Sequence, residues 1–381
     1  MTTAKAIENV NRVIDEAIAD NRLVGAVVIA FEDGKEILTR AAGFADREAK
    51  KPMYADSIFR LSSLTKPIVS AAIMSLVEDG LIDLDAPISK YLPSFRPKLP
   101  IGAAPDILIR HLLAHRAGLS YRFAAAEGSP FHVHNVSDGM DQPGLDGSEN
   151  MRRLANVPLS YAPGEGWGYS LSIDVLGAAV EAVTGERLGA IVKHRVTGPL
   201  GMSDTDFRFS DPARVVKPYM DGATGPVELT DGTSLKVNLP GFDGAVEFMP
   251  SRITNEASFH SGGAGMAGTA PDMARFLETI RMGGAPVLKK TTVDEMLRDH
   301  VGTQAETQGP GWGFGFGWAV LADQRHAETP QSQGTIQWGG VYGHYWFVDP
   351  VRRLTLVSLT NTTWEGMCGA FPFAVRDALY Y

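Results

Sequence analysis

The chain has 381 residues, enough for one large domain or two smaller ones, each with a sizeable core. Hydrophobic residues make up 44% and charged residues 21%, proportions that exclude a disordered or fibrous chain. A net charge of −9, with Lys and Arg scattered, excludes nucleic acid as a partner, and the single cysteine, Cys368, excludes an intramolecular disulfide and reads as a small buried hydrophobe.

From Met1 to Asp20 the apolar residues Ile7, Val10, Ile14 and Ile18 recur at helical spacing, which predicts an amphipathic surface helix rather than a signal peptide. No run approaches the ~18 apolar residues that a membrane span needs, so the expectation is a soluble, cytoplasmic protein. Gly25 to Phe31 and Glu36 to Gly43 read as strands joined at the hairpin signal Asp33-Gly34. Helical patterns follow at Thr65 to Asp79, Ile107 to Ala114, Leu171 to Val183 and Pro271 to Met282, the last announced by Thr269 and Asp272 at capping-box spacing. Two long stretches rich in Gly, Pro and polar residues, Ser120 to Asn150 and Asp211 to His260, are expected to wall a cleft.

Strands return at Phe316 to Leu321, Thr335 to Trp338, Tyr345 to Val348 and Leu354 to Leu359, the last two joined by the turn Asp349-Pro350-Val351-Arg352. A closing helix is expected after Pro372. Strands at both termini with helices between them predict an α/β fold: one sheet completed by both chain ends, with an inserted, mainly helical lobe. The expected organisation is a single domain, residues 1–381. Its α/β lobe takes about 1–55 and 310–381, and its helical lobe about 56–309.

Ser63-Leu64-Thr65-Lys66 is the one S-x-x-K in the chain. On a helical turn residues i and i+3 face the same way, so the hydroxyl and the amine would meet. A desolvated lysine can take the serine proton, and a helix N-terminus favours developing negative charge. Pro67 lacks a backbone donor, which predicts a tighter first turn at Ser63 to Lys66 before the regular helix.

The context of this tetrapeptide is more specific than the motif. Ser62-Ser63-Leu-Thr-Lys-Pro67 precedes an apolar helix, then Glu78-Asp-Gly-Leu-Ile-Asp-Leu-Asp-Ala-Pro-Ile-Ser-Lys-Tyr-Leu-Pro93 and Ile109-Arg-His-Leu-Leu-Ala-His-Arg-Ala-Gly-Leu119. With Pro163-Gly-Glu-Gly-Trp-Gly-Tyr-Ser-Leu171, Gly198-Pro-Leu-Gly-Met-Ser-Asp-Thr205 and Trp338-Gly-Gly-Val-Tyr-Gly343, the order resembles the serine β-lactamase-like superfamily over most of the chain. The resemblance implies an antiparallel sheet flanked by helices.

Two departures carry information. Tyr169-Ser170-Leu171 stands where class C β-lactamases have Y-x-N, and Trp338-Gly339-Gly340 stands where they have K-T-G. Losing the Asn amide removes a partner for an acylamido side chain, and losing the Lys removes the anchor of a substrate carboxylate. The W-G-G signature looks like the family VIII carboxylesterases. That resemblance implies Ser63 as nucleophile, proton transfer shared by Lys66 and Tyr169, and an oxyanion hole from the N–H groups of Ser63 and Val341. It also implies a substrate pocket formed by Trp338, Gly339, Gly340 and Leu171.

The expected activity is hydrolysis of neutral, short-chain esters through an acyl-enzyme, with a small-molecule ester as partner and no metal or cofactor. Acyl transfer, weak β-lactamase or D-aminopeptidase activity on the same site, and a penicillin-binding receptor module are the alternatives. His132-Val-His134 is read as two loop histidines without a ligand set, and His344 as structural. A Ser-His-Asp scheme is disfavoured because the chain has no G-x-S-x-G elbow.

Overall fold

A computed structural model describes residues 3–237 and 241–381. Three strands from the start of the chain, β1 (Gly25–Glu32), β2 (Lys35–Asp46) and β3 (Lys51–Pro52), share a sheet with five from its end. The latter are β4 (Trp312–Phe314), β5 (Ala319–Leu321), β6 (Ile336–Gly340), β7 (His344–Asp349) and β8 (Leu354–Thr360). The order is β4-β5-β6-β7-β8-β1-β2-β3, antiparallel throughout. β8 therefore lies against β1, with Ser358 opposite Val28, and closes the two chain ends into one layer. Asp33 (φ 55°) and Gly34 (φ 76°) both take the left-handed conformation that a tight β1–β2 hairpin requires.

Strand alternation then assigns each face. Ala26, Val28 and Ala30 of β1 point to one side, where they meet α1 (Thr3–Ala19) through Val10 and Ile14, and the closing helix through Phe371 and Val375. Val27 and Ile29 point to the other side and join the main core, whose pillar is α2 (Thr65–Glu78). Every residue of α2 from Thr65 to Leu76 is buried, so this helix is enclosed on all sides. Truncating one of its large side chains, as in Ile68→Ala, should cost about 2–5 kcal/mol. Also packed in the main core are α3 (Ser172–Thr184) and α4 (Ala270–Arg281).

Some boundaries differ from expectation. The strand predicted at Phe316 begins at Ala319, because Gly317 (φ 106°) helps turn the chain back on an unexpected strand, Trp312–Phe314. The helix predicted over Ile107 to Ala114 is one short turn, Ile109–Leu113. The closing helix, α5 (Ala370–Tyr380), starts before Pro372, which its first turn tolerates. Cys368 is partly exposed instead of buried.

The Thr269 hydroxyl does accept the Asp272 N–H at 3.3 Å, but the Asp272 carboxylate turns away to the Asp204 N–H and the Thr205 hydroxyl, both at 3.0 Å. Half of the capping box is thus built, and its acid serves a tertiary contact instead. The long segment after Asp211 is less irregular than expected. It contains two strand pairs, Tyr219–Met220 with Val227–Glu228 and Thr233–Lys236 with Ala245–Phe248. Among the described residues no helix is long and apolar enough to cross a membrane.

Candidate active site

Ser63 lies in a single 3₁₀ turn, Ser62–Leu64, that runs directly into α2. Ser62 holds a left-handed φ of 44°, and the Leu61 N–H donates to the Met266 carbonyl at 2.8 Å. The tight turn expected over Ser63 to Lys66 is present one residue earlier and shorter, at Ser62–Leu64, with Thr65 and Lys66 already in the regular helix. It leaves Ser63 half-buried, while Lys66, one turn on, is fully enclosed.

The buried lysine has few ways to satisfy its ammonium group. Nζ lies 3.1 Å from Ser63 Oγ and donates to the Gly263 carbonyl at 2.8 Å. Two aromatic faces add to this, with Nζ 4.6 Å from the Tyr169 ring centroid and 5.3 Å from that of Tyr121. The Tyr169 hydroxyl donates to Ser63 Oγ at 2.7 Å. Two side chains from distant segments thus converge on the Ser63 oxygen.

Tyr169 is held on several sides. Its ring centroid lies 5.1 Å from Tyr121, 5.1 Å from Trp338 and 5.0 Å from His115. His115 is fully buried, and burial together with the nearby Lys66 charge drives its imidazole well below the usual histidine range. As a neutral ring it accepts the Ser170 N–H at Nδ1, 3.2 Å away. It braces Tyr169 and has no hydrogen bond to Ser63.

Of the pocket residues expected from sequence, Trp338 is 7% exposed and packs between Tyr169 and Phe314, whose ring is 5.2 Å away. Gly340 abuts the nucleophile turn: a Cβ there would sit 2.7 Å from both the Leu61 carbonyl oxygen and Ser62 Oγ. Val341 follows at the start of the β6–β7 turn, half-buried, and among the described residues its N–H meets no acceptor. Gly339 is half-buried beside Met367.

Leu171 departs from expectation. It is fully buried at the start of α3 and belongs to the main core, because an apolar side chain there gains more from inward packing than from facing a wet cleft. It supports the site from behind and offers no surface to a substrate. His344, read as structural, is buried and bonds the Arg60 carbonyl at 2.8 Å through Nε2. His132 meets Ser129 Oγ at 3.0 Å, and no metal-holding group of side chains occurs among the described residues.

The two long segments do border this region. Phe123 stacks on Tyr121 at 4.4 Å, and Phe242 stacks on Phe123 at 6.0 Å. Val341 and Trp364 join the same small cluster. A cavity of about 750 Å³, lined by Phe95, Met151 and Ala178, lies elsewhere and holds none of these residues.

The β-lactamase family model matches residues 10–373. The chain belongs to the β-lactamase family. It is 49% identical over 381 residues to esterase EstB of Burkholderia gladioli, covering 100% of this chain and 96% of that protein. The solved structure of EstCE1, described as a hydrolase with promiscuous acyltransferase activity, superposes with a TM-score of 0.97 at 44% identity, over 100% of this chain and 99% of that one. Simvastatin synthase (LovD) of Aspergillus terreus shares the fold, with a TM-score of 0.75 at 20% identity over 98% of each chain.

Within this β-lactamase fold, two further residues, Asp174 and Ser261, back the lysine's partners Gly263 and Tyr121. The Asp174 carboxylate, buried on the first turn of α3, accepts the Ser261 hydroxyl at 2.5 Å. Ser261 and Gly263 belong to one Gly-rich segment, and a Cβ on Gly263 would run into Asp174 Oδ2 and come within 3.1 Å of the Tyr121 hydroxyl. Burial pushes the Asp174 carboxyl above its ordinary range, opposed by the Ser261 hydroxyl and the Lys66 charge. Tyr121 is buried, and desolvation with the neighbouring Tyr169 and Asp174 raises its phenol. A lone acid in the otherwise apolar run Ser172-Ile-Asp-Val-Leu-Gly, and the glycines at 262, 263 and 265, were the available sequence signals.

Proposed function

We propose that the chain is a serine carboxylesterase that hydrolyses neutral, short-chain esters through an acyl-enzyme on Ser63. The observation that carries this is the meeting of Lys66 Nζ (3.1 Å) and Tyr169 Oη (2.7 Å) at Ser63 Oγ. In this mechanism Oγ attacks the ester carbonyl carbon and its proton passes to the Lys66–Tyr169 pair. The Ser63 and Val341 N–H groups hold the oxyanion. Collapse breaks the bond to the alkoxy group, which leaves with the proton as alcohol, and water then hydrolyses the acyl-enzyme with the same pair moving its proton.

The similarity to esterase EstB, at 49% identity over the whole chain, supports ester bonds as the target. Neutral substrates fit the aromatic surroundings, since Trp338 occupies the strand position where a lysine would anchor a carboxylate. The α/β lobe (1–55 with 310–381) and the helical lobe (56–309) act in this scheme as one domain, with Ser63 at their junction.

A second activity, acyl transfer, is favoured by the similarity to EstCE1. An acyl group on the half-buried Ser63 is open to an alcohol as well as to water, and the aromatic border formed by Phe123 and Phe242 suits an apolar acceptor. The test is turnover of short- and long-chain p-nitrophenyl esters, a chromogenic cephalosporin and a D-aminoacyl amide, with and without added alcohol. Preferential turnover of short esters supports the proposal. Faster turnover of the cephalosporin or the amide would refute it.

A further inference from the structure

A second cavity, of about 410 Å³, opens beside the short helix Leu188–Val192 and is bounded by the segment from Arg252 to Gly265. In a chain of net charge −9 it gathers four cations, Arg187, Lys193, Arg208 and Arg252, against two carboxylates, Asp206 and Glu256. The lining therefore carries an excess of positive charge.

Arg252 is the informative member because it is only 5% exposed. Its Nε donates to the Asp141 carbonyl and its Nη2 to the Phe259 carbonyl, both at 2.9 Å, and the guanidinium lies 4.6 Å from the Phe259 ring centroid. Among the described residues no carboxylate reaches ion-pair distance of it, and Nη1 has no acceptor. Asp141 and Asp174 attract the guanidinium only from beyond ion-pair distance, so burial still disfavours its charge, and an anion entering the cavity would relieve that cost.

His260 supplies a neutral donor beside it. Its Nδ1 accepts the Gly189 N–H at 3.0 Å, which assigns the ring proton to Nε2. The ring is stacked on Phe207 at 4.6 Å, so its orientation is fixed. At the rim, Lys193 is exposed and has no carboxylate partner among the described residues, while Arg208 meets Asp206 only at 3.7 Å. Donors and cations therefore outnumber the two carboxylates, Asp206 and Glu256, which also border the cavity.

We infer that this cavity binds a small anionic ligand, one bearing a phosphate or carboxylate group, with Arg252 and His260 as its inner donors and Lys193 and Arg208 at its rim. Its volume falls within the range of small-molecule sites. The inference is independent of the ester chemistry at Ser63.

The test titrates inorganic phosphate and, separately, acetate into the full chain at constant ionic strength, followed by calorimetry and by the His260 C2–H resonance. The expected result is saturable binding of at least one anion with Kd on the order of 1 mM or tighter, phosphate or acetate identifying which group is preferred. Burial and the charges of Arg187 and Arg252 hold His260 at about 4. A bound anion should raise that midpoint by roughly one unit, because it stabilises the imidazolium.

Lys193→Ala/Arg208→Ala should weaken binding roughly tenfold or more with anion-free ester turnover unchanged. Arg252→Gln should abolish binding. If that variant does not fold, the rim double variant decides alone. No saturable binding of either anion, or equal affinity in the rim variant, overturns the inference.

Discussion

Lys66 and Gly263 are 197 residues apart in sequence and joined by a 2.8 Å hydrogen bond from the lysine Nζ to the glycine carbonyl. That bond fixes where the amine points, and Asp174 fixes the segment that supplies the carbonyl through its 2.5 Å bond to Ser261. Asp174→Ala should therefore lower kcat about tenfold, equivalent to ~1.4 kcal/mol, with little change in KM. Steady-state kinetics beside circular dichroism check this. A kcat within twofold of wild type in a folded variant would mean that the segment needs no such tie.

Lys66→Ala and Tyr169→Phe should each cost on the order of 10³-fold in kcat, because both groups act on the same Ser63 oxygen. The double variant should be little worse than either single one, since groups that act as a unit are not additive. Multiplicative losses in that cycle would instead assign the two residues separate steps.

Trp338→Lys tests substrate charge selection. A cation there can contribute roughly 1.5–3 kcal/mol toward a substrate carboxylate, while Tyr169 and Phe314 lose an indole neighbour. The ratio of kcat/KM for a carboxylate-bearing ester to that for its methyl-capped analogue should rise about tenfold or more. An unchanged ratio places residue 338 out of reach of the substrate's charge. Trp338→Phe, which keeps an aromatic face against Tyr169, should leave the ratio near wild type.

Stability should fall in mild acid. Burial holds His344 at about 4, against 6.5 in an unfolded chain. Between those values the unfolded state binds more protons, so unfolding free energy rises with pH and is lost as pH drops from about 6.5 toward 4. His344 alone accounts for about 2–3 kcal/mol of that loss. Urea titrations at pH 7 and pH 4.5 should show the loss in wild type and a smaller one in His344→Gln. An identical pH dependence in the two proteins would locate the effect elsewhere.

What the sequence revealed, and what it concealed, follows from the range of the interactions involved. The apolar strand runs at Gly25 to Phe31 and Leu354 to Leu359 and the S-x-x-K spacing are local, and both are built as read. The resemblance also misled at one residue: Leu171, placed in the pocket because it stands at the Asn of Y-x-N, is drawn into the core by its own apolar side chain. Phe316 continued an apolar run, yet Gly317 turns the chain there. The Lys66–Gly263 bond, the Asp174–Ser261 pair and the His115 brace join segments far apart in the chain, and no spacing rule announces them.

The central claim is that Ser63 becomes acylated. The most direct measurement quenches the enzyme in acid during turnover of a slow p-nitrophenyl ester, digests it, and locates the added mass by tandem mass spectrometry. The account predicts one acyl group on the peptide containing Ser63, absent in Ser63→Ala together with all ester turnover, while the circular dichroism spectrum stays that of the wild type. An acyl group on another residue, or a folded Ser63→Ala protein that still turns over esters, would contradict it.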